Sequence, residues 1–347
     1  MRLFFIIHLF FGFSSIIKTN SFKINYNHKR DLRLGNGKEN NSLSEKSSKN
    51  ISFKNKLKEF GRLIRPKSIL PTVFLCGAGG FIMNPSLYNL IHSKKYITST
   101  VSTILILSSS MVINDVYDVK IDRINNPGRP IASGKVKIYE AILLYALLIG
   151  SAEYLSIRFL PTMQQSIINF IIFLTSIYTP ILKRVPLLKN LSCAWIVSLT
   201  LFFSGISSSQ NLVAIENKNF GILSIAMSLV FYGSLSNEIL LDIRDCDGDK
   251  RNNIYTIPVI FGKNFSLICV NIINNLNIMS NSLALTYLTN NLYCGLFLFT
   301  LHLPISVNLF KLRNKEISNE NIMKIVNDTN MPLFSILLYK CILAYQN

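Results

Sequence analysis

Seven of the nine aspartates in this 347-residue chain lie in two short segments. The first segment, NDVYDVKID, contains Asp115, Asp118 and Asp122. The second segment, NEILLDIRDCDGDK, contains Asp242, Asp245, Asp247 and Asp249. In both segments three aspartates follow one another at i, i+3 and i+7, a spacing that places their carboxylates on one face of a helix. We therefore predict two helices that each carry one row of carboxylates, with Asp247 off the second row.

The carboxylates of one row repel one another, and they also repel the carboxylates of the other row. At about 4 Å and an effective dielectric constant near 20, each like-charged pair costs about 4 kcal/mol. Protonation, pairing with Lys or Arg, or hard cations would relieve this repulsion. Oxygen ligands without His or Cys suit Mg²⁺, and the four histidines lie outside both segments. Mg²⁺ held by a few carboxylates commonly completes its shell with substrate phosphate oxygens, which predicts a diphosphate site.

The two rows supply the predicted metal ligands and catalytic groups. The predicted metal ligands are Asp115, Asp118, Asp122, Asp242, Asp245 and Asp249. All of these except Asp242 are also predicted to be catalytic, whereas Asp242 is predicted to contribute to substrate binding. Glu238 lies one helical turn before Asp242, and an ionisable group so deep in an apolar segment is a functional candidate. It would orient an acceptor, or alternatively act as a capping group.

The elements that must position these rows are membrane helices. The chain is 49% apolar and only 16% charged, against about 25% charged residues in ordinary soluble domains. Apolar stretches of the roughly 17–25 residues needed to cross a bilayer recur along it. The nine predicted spans are 69–90, 96–114, 138–156, 163–181, 190–209, 220–242, 264–286, 290–309 and 330–346. We predict an all-α integral membrane fold of nine transmembrane helices around a central cavity.

The basic residues support this topology. With nine spans, twenty of the Lys and Arg residues beyond residue 56 lie on the N-terminal flank and the loops of the same face, against four on the opposite face. Such an asymmetry is what the positive-inside rule predicts. Both aspartate rows end even-numbered spans, so both are predicted to open onto the basic face. No nucleic-acid partner is expected from this pattern.

The first 56 residues differ from the rest, and the polytopic domain is predicted to cover 57–347. The segment 1–56 joins a short apolar run to a Lys/Asn/Ser-rich stretch with eleven basic and three acidic residues. This composition predicts a disordered leader of signal and transit type. It suggests a plastid membrane. The alternative for the segment is an endoplasmic-reticulum signal anchor followed by a low-complexity linker. The alternative locations are another endomembrane or the mitochondrial inner membrane.

Both aspartate segments resemble the two Asp-rich motifs of the UbiA-type intramembrane prenyltransferases. The sequences RPIASG at 129–134 and YTPILKRVPLLKN at 178–190 also match family patterns in the corresponding loops. The resemblance covers about residues 57–347. It implies an Mg²⁺-dependent enzyme that transfers a polyprenyl group from its diphosphate (geranylgeranyl, phytyl or longer) to a lipophilic acceptor within the lipid bilayer.

The resemblance also assigns roles to groups outside the two carboxylate rows. It implies that Asn114 lies near the metal or the diphosphate. The phosphate-side cations are predicted to be Arg129, Lys183 and Lys250, with Arg184 and Arg251 as weaker candidates. The same cations would also set topology, and for each of them topology alone is an alternative explanation.

The acceptor stays open at this level. Only six residues separate Asp122 from Arg129. This spacing resembles the chlorophyll synthase, homogentisate and geranylgeranylglyceryl phosphate branches, and the motif text fits the last branch best. A plastid leader fits that branch least well. The alternatives to a prenyltransferase are a soluble terpene cyclase and a cation-coupled transporter. The predicted spans argue against the first, and carboxylates at span ends among Lys and Arg argue against the second.

Overall fold

The computed structural model describes residues 53–209, 218–251, 254–313 and 317–346, and the regular elements in these ranges are all helical. In chain order the α-helices are α1 (Phe53–Ile64), α2 (Pro66–Met83), α3 (Leu87–His92), α4 (Lys94–Tyr117), α5 (Val119–Asn125), α6 (Ile138–Phe159), α7 (Thr162–Tyr178), α8 (Leu188–Ser208), α9 (Lys218–Arg251), α10 (Ile257–Phe261), α11 (Lys263–Thr289), α12 (Leu292–Arg313), α13 (Asn319–Asp328) and α14 (Asn330–Gln346). A single 3₁₀ turn, Leu182–Arg184, lies between α7 and α8.

Six helices of the described chain are long and apolar enough to cross a membrane: α2, α4, α6, α8, α9 and α12. The all-α, multi-pass prediction is confirmed at this level. The other three predicted spans correspond to α7, α11 and α14. Two of these, α7 and α14, have 17 residues each, and α11 carries six asparagines that lower its hydropathy. The count of nine crossings stays a prediction.

The sixth predicted span is longer than the sequence indicated. We predicted its end at residue 242, but α9 continues without interruption to Arg251 and has 34 residues. At 1.5 Å per residue such a helix is about 51 Å long, more than the roughly 30 Å hydrocarbon core. One end of α9 therefore extends beyond the core of a bilayer. The second aspartate segment lies on that end.

Close packing of α2 on α8 explains the glycine-rich sequence CGAGGF. A Cβ atom on Gly79 would lie 2.0 Å from the carbonyl oxygen of Leu201, so no larger residue fits. The Oγ of Ser204 donates to the carbonyl of Cys76 at 2.9 Å, and Ser208 bonds Gly80 in the same way. Small residues that let helix backbones approach closely are typical of membrane helix interfaces.

A small apolar cluster lies beneath the first aspartate segment. It consists of Leu63, Val112, Val119, Ile131, Val136 and Ala141. These residues come from α1, α4, α5, α6 and the loop 126–137, so apolar burial holds these elements together. Because α1 begins at Phe53, the last four residues of the predicted leader belong to a helix. The rest of the predicted leader lies outside the described residues.

Candidate active site

The first carboxylate row lies where α4 ends and α5 begins. α4 ends at Tyr117, Asp118 lies between the helices, and α5 begins at Val119. The backbone hydrogen bonds continue across this junction. The N–H of Asp118 donates to the carbonyl of Asn114 at 2.9 Å, and the N–H of Asp122 donates to that of Asp118 at 2.8 Å. The row therefore keeps a nearly helical spacing although two helices share it.

One guanidinium group joins the two ends of this row. Nη1 of Arg129 donates to Oδ1 of Asp115 at 3.1 Å and to Oδ2 of Asp122 at 2.6 Å. Nη2 of Arg65 lies 2.5 Å from the same oxygen of Asp115. Both aspartates are buried, and these charge-assisted hydrogen bonds offset the cost of burying their charge. The shared contact with Arg129 places Asp115 and Asp122 on one face, as their spacing predicts.

The middle carboxylate of the row has a different partner. Nζ of Lys183 lies 2.6 Å from Oδ2 of Asp118 and 2.9 Å from Oδ1. The same Nζ lies 3.4 Å from Oδ1 of Asn114, which also accepts from Thr179 at 3.4 Å. The repulsion predicted within the first row is thus relieved by Arg and Lys side chains. Two of them, Arg129 and Lys183, are predicted phosphate-binding residues.

The second row lies within the single helix α9, and its first member is buried. Asp242 is 2% exposed. Its Oδ1 accepts from Nζ of Lys189 at 2.5 Å, and its Oδ2 accepts from Nδ2 of Asn190 at 2.8 Å. Both carboxylate oxygens are therefore occupied by the N-terminal turn of α8. This arrangement holds α9 against α8.

The remaining carboxylates of α9 are more open. The side chain of Asp245 is 51% exposed, and the neighbouring Arg244 donates to both of its oxygens at 2.7 Å and 2.6 Å. Asp247 pairs with Lys263 at 2.8 Å, and its side chain is 74% exposed, as expected for a group off the row. Asp249 is half-buried. The carboxylates of the second row therefore differ in environment, which their spacing does not predict.

The segment from Lys183, which precedes α8, to Lys189 in its first turn contacts both rows. Lys183 contacts Asp118 of the first row, and Lys189 contacts Asp242 of the second. Six residues span at most about 22 Å, so the two contacts lie near each other. Both rows therefore lie at the same end of the helix bundle, as predicted.

A cavity of about 350 Å³ is lined by Arg65, which contacts Asp115 of the first row, and by Glu238, which lies one helical turn before the second row. Helices α2, α4, α7, α8 and α9 contribute to its wall, which is mostly apolar. On α4 the lining extends from Thr103 to Asn114, about 16 Å of helix. Among its described lining residues, Arg65 is the basic one and Glu238 the acidic one. The cavity thus connects the neighbourhood of the first row with a group that precedes the second.

Two predicted cations lie away from the contacts described above. The side chains of Lys250 and Arg251 are exposed at the end of α9. The side chain of Arg184 lies outside the described residues. Glu238, by contrast, lines the cavity together with Tyr178 and Cys193.

The donor set of the first row suits a hard divalent cation, since it offers carboxylate and amide oxygens. In the described ranges, no three or more His, Cys, Asp or Glu side chains converge as a group that could hold a metal ion. Mg²⁺ does not require such a group, because it is usually bound by one or two carboxylates together with substrate phosphates. The residues therefore fit a cation that binds with a diphosphate.

The sequence patterns do not assign three residues of the site: Arg65, Lys189 and Asn190. A sequence signal exists for each. Arg65 directly precedes a proline, Pro66. Lys189 and Asn190 belong to the sequence YTPILKRVPLLKN, which matches a family pattern.

Comparisons with known proteins identify the group to which these features belong. Residues 70–327 match the UbiA prenyltransferase family. A digeranylgeranylglyceryl phosphate synthase of Methanococcus maripaludis is 27% identical over 289 residues, which cover 81% of this chain and 98% of that enzyme. The enzyme of the same name from Saccharolobus solfataricus is 31% identical over 215 residues, or 60% of this chain and 71% of that enzyme.

Solved structures show the same fold. A digeranylgeranylglyceryl phosphate synthase structure matches with a TM-score of 0.68 and 22% identity, covering 84% of this chain and 99% of the other. A UbiA homologue from Archaeoglobus fulgidus, bound to GPP and Mg²⁺, matches with a TM-score of 0.60 and 16% identity, covering 83% and 100%. These matches do not support the transporter alternative. The two synthases named above are archaeal, and these matches do not support the plastid location predicted from the leader.

Proposed function

This chain belongs to the UbiA prenyltransferase family, and we propose that it transfers a geranylgeranyl-type group from its diphosphate to a glyceryl phosphate lipid precursor. The observation that carries this proposal is the first carboxylate row with its cations, which adjoins a mostly apolar cavity through Arg65 and Asn114. A prenyl diphosphate has a charged head and an apolar tail, and this arrangement offers a place for each. The archaeal relatives named for digeranylgeranylglyceryl phosphate support the glyceryl phosphate acceptor.

The reaction breaks the allylic carbon–oxygen bond of the donor and forms an ether bond to an acceptor hydroxyl. The diphosphate leaves with the electron pair of the broken bond, and the acceptor hydroxyl loses its proton. Arg129 and Lys183 would bind the diphosphate and stabilise the charge that grows on it. Lys250 is a further candidate for this role from the exposed end of α9.

Mg²⁺ is the cation we propose for this site, and when bound it would act as a Lewis acid on the diphosphate oxygens. Its proposed ligands come from the two rows. They are Asp115, Asp118, Asp122, Asp242, Asp245 and Asp249. Asn114 would contribute its amide near the metal or the diphosphate, since it already contacts Lys183. In the described structure each carboxylate except Asp249 has a Lys or Arg partner. The cation and the diphosphate would therefore bind together, in exchange for some of these contacts.

The acceptor would enter the cavity from the side of Arg65 and Glu238. Arg65 is the basic side chain among the described lining residues, and it suits an acceptor that carries a phosphate. Glu238 would orient the acceptor hydroxyl. A wall of apolar side chains around these two groups would keep water from the allylic cation.

The test is a product analysis with the full chain in lipid nanodiscs. Labelled geranylgeranyl diphosphate and Mg²⁺ are supplied with a panel of acceptors: geranylgeranylglyceryl phosphate, homogentisate and chlorophyllide. We expect a product with geranylgeranylglyceryl phosphate and none with homogentisate or chlorophyllide. A product with one of those acceptors alone would overturn the acceptor assignment. No product with any acceptor, from correctly inserted protein, would overturn the proposed activity.

A further inference from the structure

The amphipathic helix α1 lies against the loop 126–137, which carries Arg129. Leu63 of α1 is fully buried, and it packs in the apolar cluster with Ile131 and Val136 of that loop. The contact is therefore a packed interface and not a chance approach of two surface segments. None of the described lining residues of the cavity belongs to α1 itself.

Polar contacts connect α1 to the loop at two points. Nη2 of Arg62 donates to the carbonyl oxygen of Gly128 at 2.8 Å, one residue before Arg129. Nη1 of the same guanidinium donates to Glu59 at 2.7 Å, and Lys135 donates to the other oxygen of Glu59 at 3.3 Å. Glu59 is largely buried. It therefore joins α1 to the far end of the loop while it orients Arg62.

A third point of contact lies where the loop enters α6. Lys56 of α1 pairs with Glu140. The second oxygen of Glu140 accepts from the backbone N–H of Lys137 at 3.0 Å, which caps the first turn of α6. The loop is thus held by α1 near its start, near its end and at the helix that follows.

The loop is built from turns, in which the N–H of Arg129 donates to the carbonyl of Asn126 at 3.0 Å and the N–H of Ser133 donates to the carbonyl of Arg129 at 2.9 Å. These turns orient the backbone of Arg129 within the loop, whereas the position of the loop against the bundle depends on contacts with other elements. The loop contains Gly128 and Gly134, and the latter has a φ of 74° that glycine adopts readily. Arg129 must nevertheless reach two carboxylates with one nitrogen atom. A displacement of about 1 Å in a positioning group can cost on the order of a hundredfold in rate. An external support for this loop therefore has a functional consequence.

We propose that α1 is a positioning element of the active site, in which Arg62 and Glu59 hold the loop so that Arg129 can bind the diphosphate. This inference rests on the proposed function. The same helix also delivers Arg65, which follows its last residue and contacts Asp115. Both guanidinium groups on Asp115 are therefore positioned by α1. Partly exposed ion pairs contribute little to stability, so the contacts of Arg62 should matter for catalysis more than for folding.

The test compares Arg62→Ala with Lys58→Ala in the full chain. Both variants remove one positive charge from the exposed face of the same helix, so their effect on topology is matched. Arg62→Ala loses the contacts to Gly128 and Glu59. For Arg62→Ala we expect a change of about tenfold or more, either as a rise in the KM for the prenyl diphosphate or as a fall in kcat. For Lys58→Ala we expect both constants to change less than about twofold.

A double-mutant cycle decides whether Arg62 acts through Arg129. Arg62→Ala is introduced into an Arg129→Lys background. If α1 positions Arg129, the second substitution adds little further loss, because the group that it positions is already impaired. Independent, multiplying losses would overturn the proposal. So would equal kinetics of Arg62→Ala and Lys58→Ala in an enzyme whose unsubstituted form is active.

Two further measurements separate positioning from a folding defect. The thermal midpoint of Arg62→Ala should match that of Lys58→Ala. A thiolo analogue of the prenyl diphosphate should raise the thermal midpoint of Arg62→Ala less than that of Lys58→Ala. If Arg62→Ala does not insert, Glu59→Gln serves instead, since it keeps the shape of the side chain and removes the charge that orients Arg62. Normal donor KM, normal kcat and normal analogue binding in Glu59→Gln would overturn the proposal. Absence of product from the unsubstituted enzyme would refute the proposed function, which is a separate outcome.

Discussion

The two aspartate rows have the same spacing but not the same surroundings. In the first row, Asp115 and Asp122 are buried and share Arg129, and Asp118 pairs with Lys183. In the second row, only Asp242 is buried, and Asp245 is exposed beside its neighbour Arg244. The first row is gathered around cations from distant parts of the chain. The second presents one carboxylate inward and the others towards the end of a projecting helix.

The difference indicates that equal spacing does not mean equal roles. A carboxylate that is buried with a cation holds elements together, whereas one that is half or more exposed can exchange its partner at little cost. Asp242 joins α9 to α8 through Lys189 and Asn190. Asp245 makes no such connection. The second row therefore combines a proposed metal ligand that also holds two helices together with carboxylates that can exchange their partners at little cost.

The largest expected effect tests what the rows have in common. Removal of divalent cations with EDTA should reduce prenyl transfer to the background rate, and Mg²⁺ should restore it, because both rows are proposed to act through the metal. Product formation is measured by mass before and after the addition. Full activity in excess EDTA would contradict the proposed metal-binding role of both rows. Mg²⁺ alone should raise the thermal midpoint less than Mg²⁺ with a donor analogue.

Substitution of an aspartate in the first row should lower the rate more than substitution of Asp247, which lies off the second row. Asp118→Asn keeps the size of the side chain and removes the charge, and we expect kcat/KM to fall on the order of a hundredfold or more. Asp247→Asn is the matched control, since the ion pair that this exposed carboxylate forms in the described chain is with Lys263. Its kcat/KM should change less than about twofold. Comparable losses in the two variants would contradict the assignment of the rows.

The guanidinium shared by Asp115 and Asp122 gives an intermediate effect. Arg129→Lys keeps the charge and the topology but loses the planar fork that binds phosphate oxygens in pairs. We expect insertion to survive and kcat/KM to fall about tenfold or more. Membrane insertion is checked by protease protection, and kcat and KM for the donor are measured separately. An Arg129→Lys enzyme with full activity would leave this residue as a topology charge.

Within the second row, Asp242 and Asp245 should separate stability from catalysis. Asp242→Asn leaves Lys189 without its buried carboxylate, which should lower the free energy of unfolding by about 3 kcal/mol. Asp245→Asn should leave the thermal midpoint nearly unchanged, since its ion pair is half exposed, and lower the transfer rate. Thermal melting of both variants in the same nanodiscs measures the contrast. Equal midpoints would show that burial does not distinguish the two carboxylates.

Local patterns predicted much of the fold. The last predicted span, 330–346, matches α14, and the first row keeps the helical spacing that its sequence indicates. The length of α9 could not be predicted in the same way. Six of its last nine residues are charged, so hydropathy ends the span before the helix ends. Helix continuation there depends on backbone hydrogen bonds, which hydropathy does not measure.

The all-helical, multi-pass architecture and the positions of the two carboxylate rows could be predicted from the sequence, because hydropathy and spacing depend on neighbours along the chain. The cation that pairs with each carboxylate could not be predicted in this way. Arg65 and Asp115 are 50 residues apart, and Lys189 and Asp242 are 53 residues apart. Such pairs form when helices pack, and no local periodicity encodes them. For the same physical reason, only the packed bundle distinguishes the buried Asp242 from the exposed Asp245.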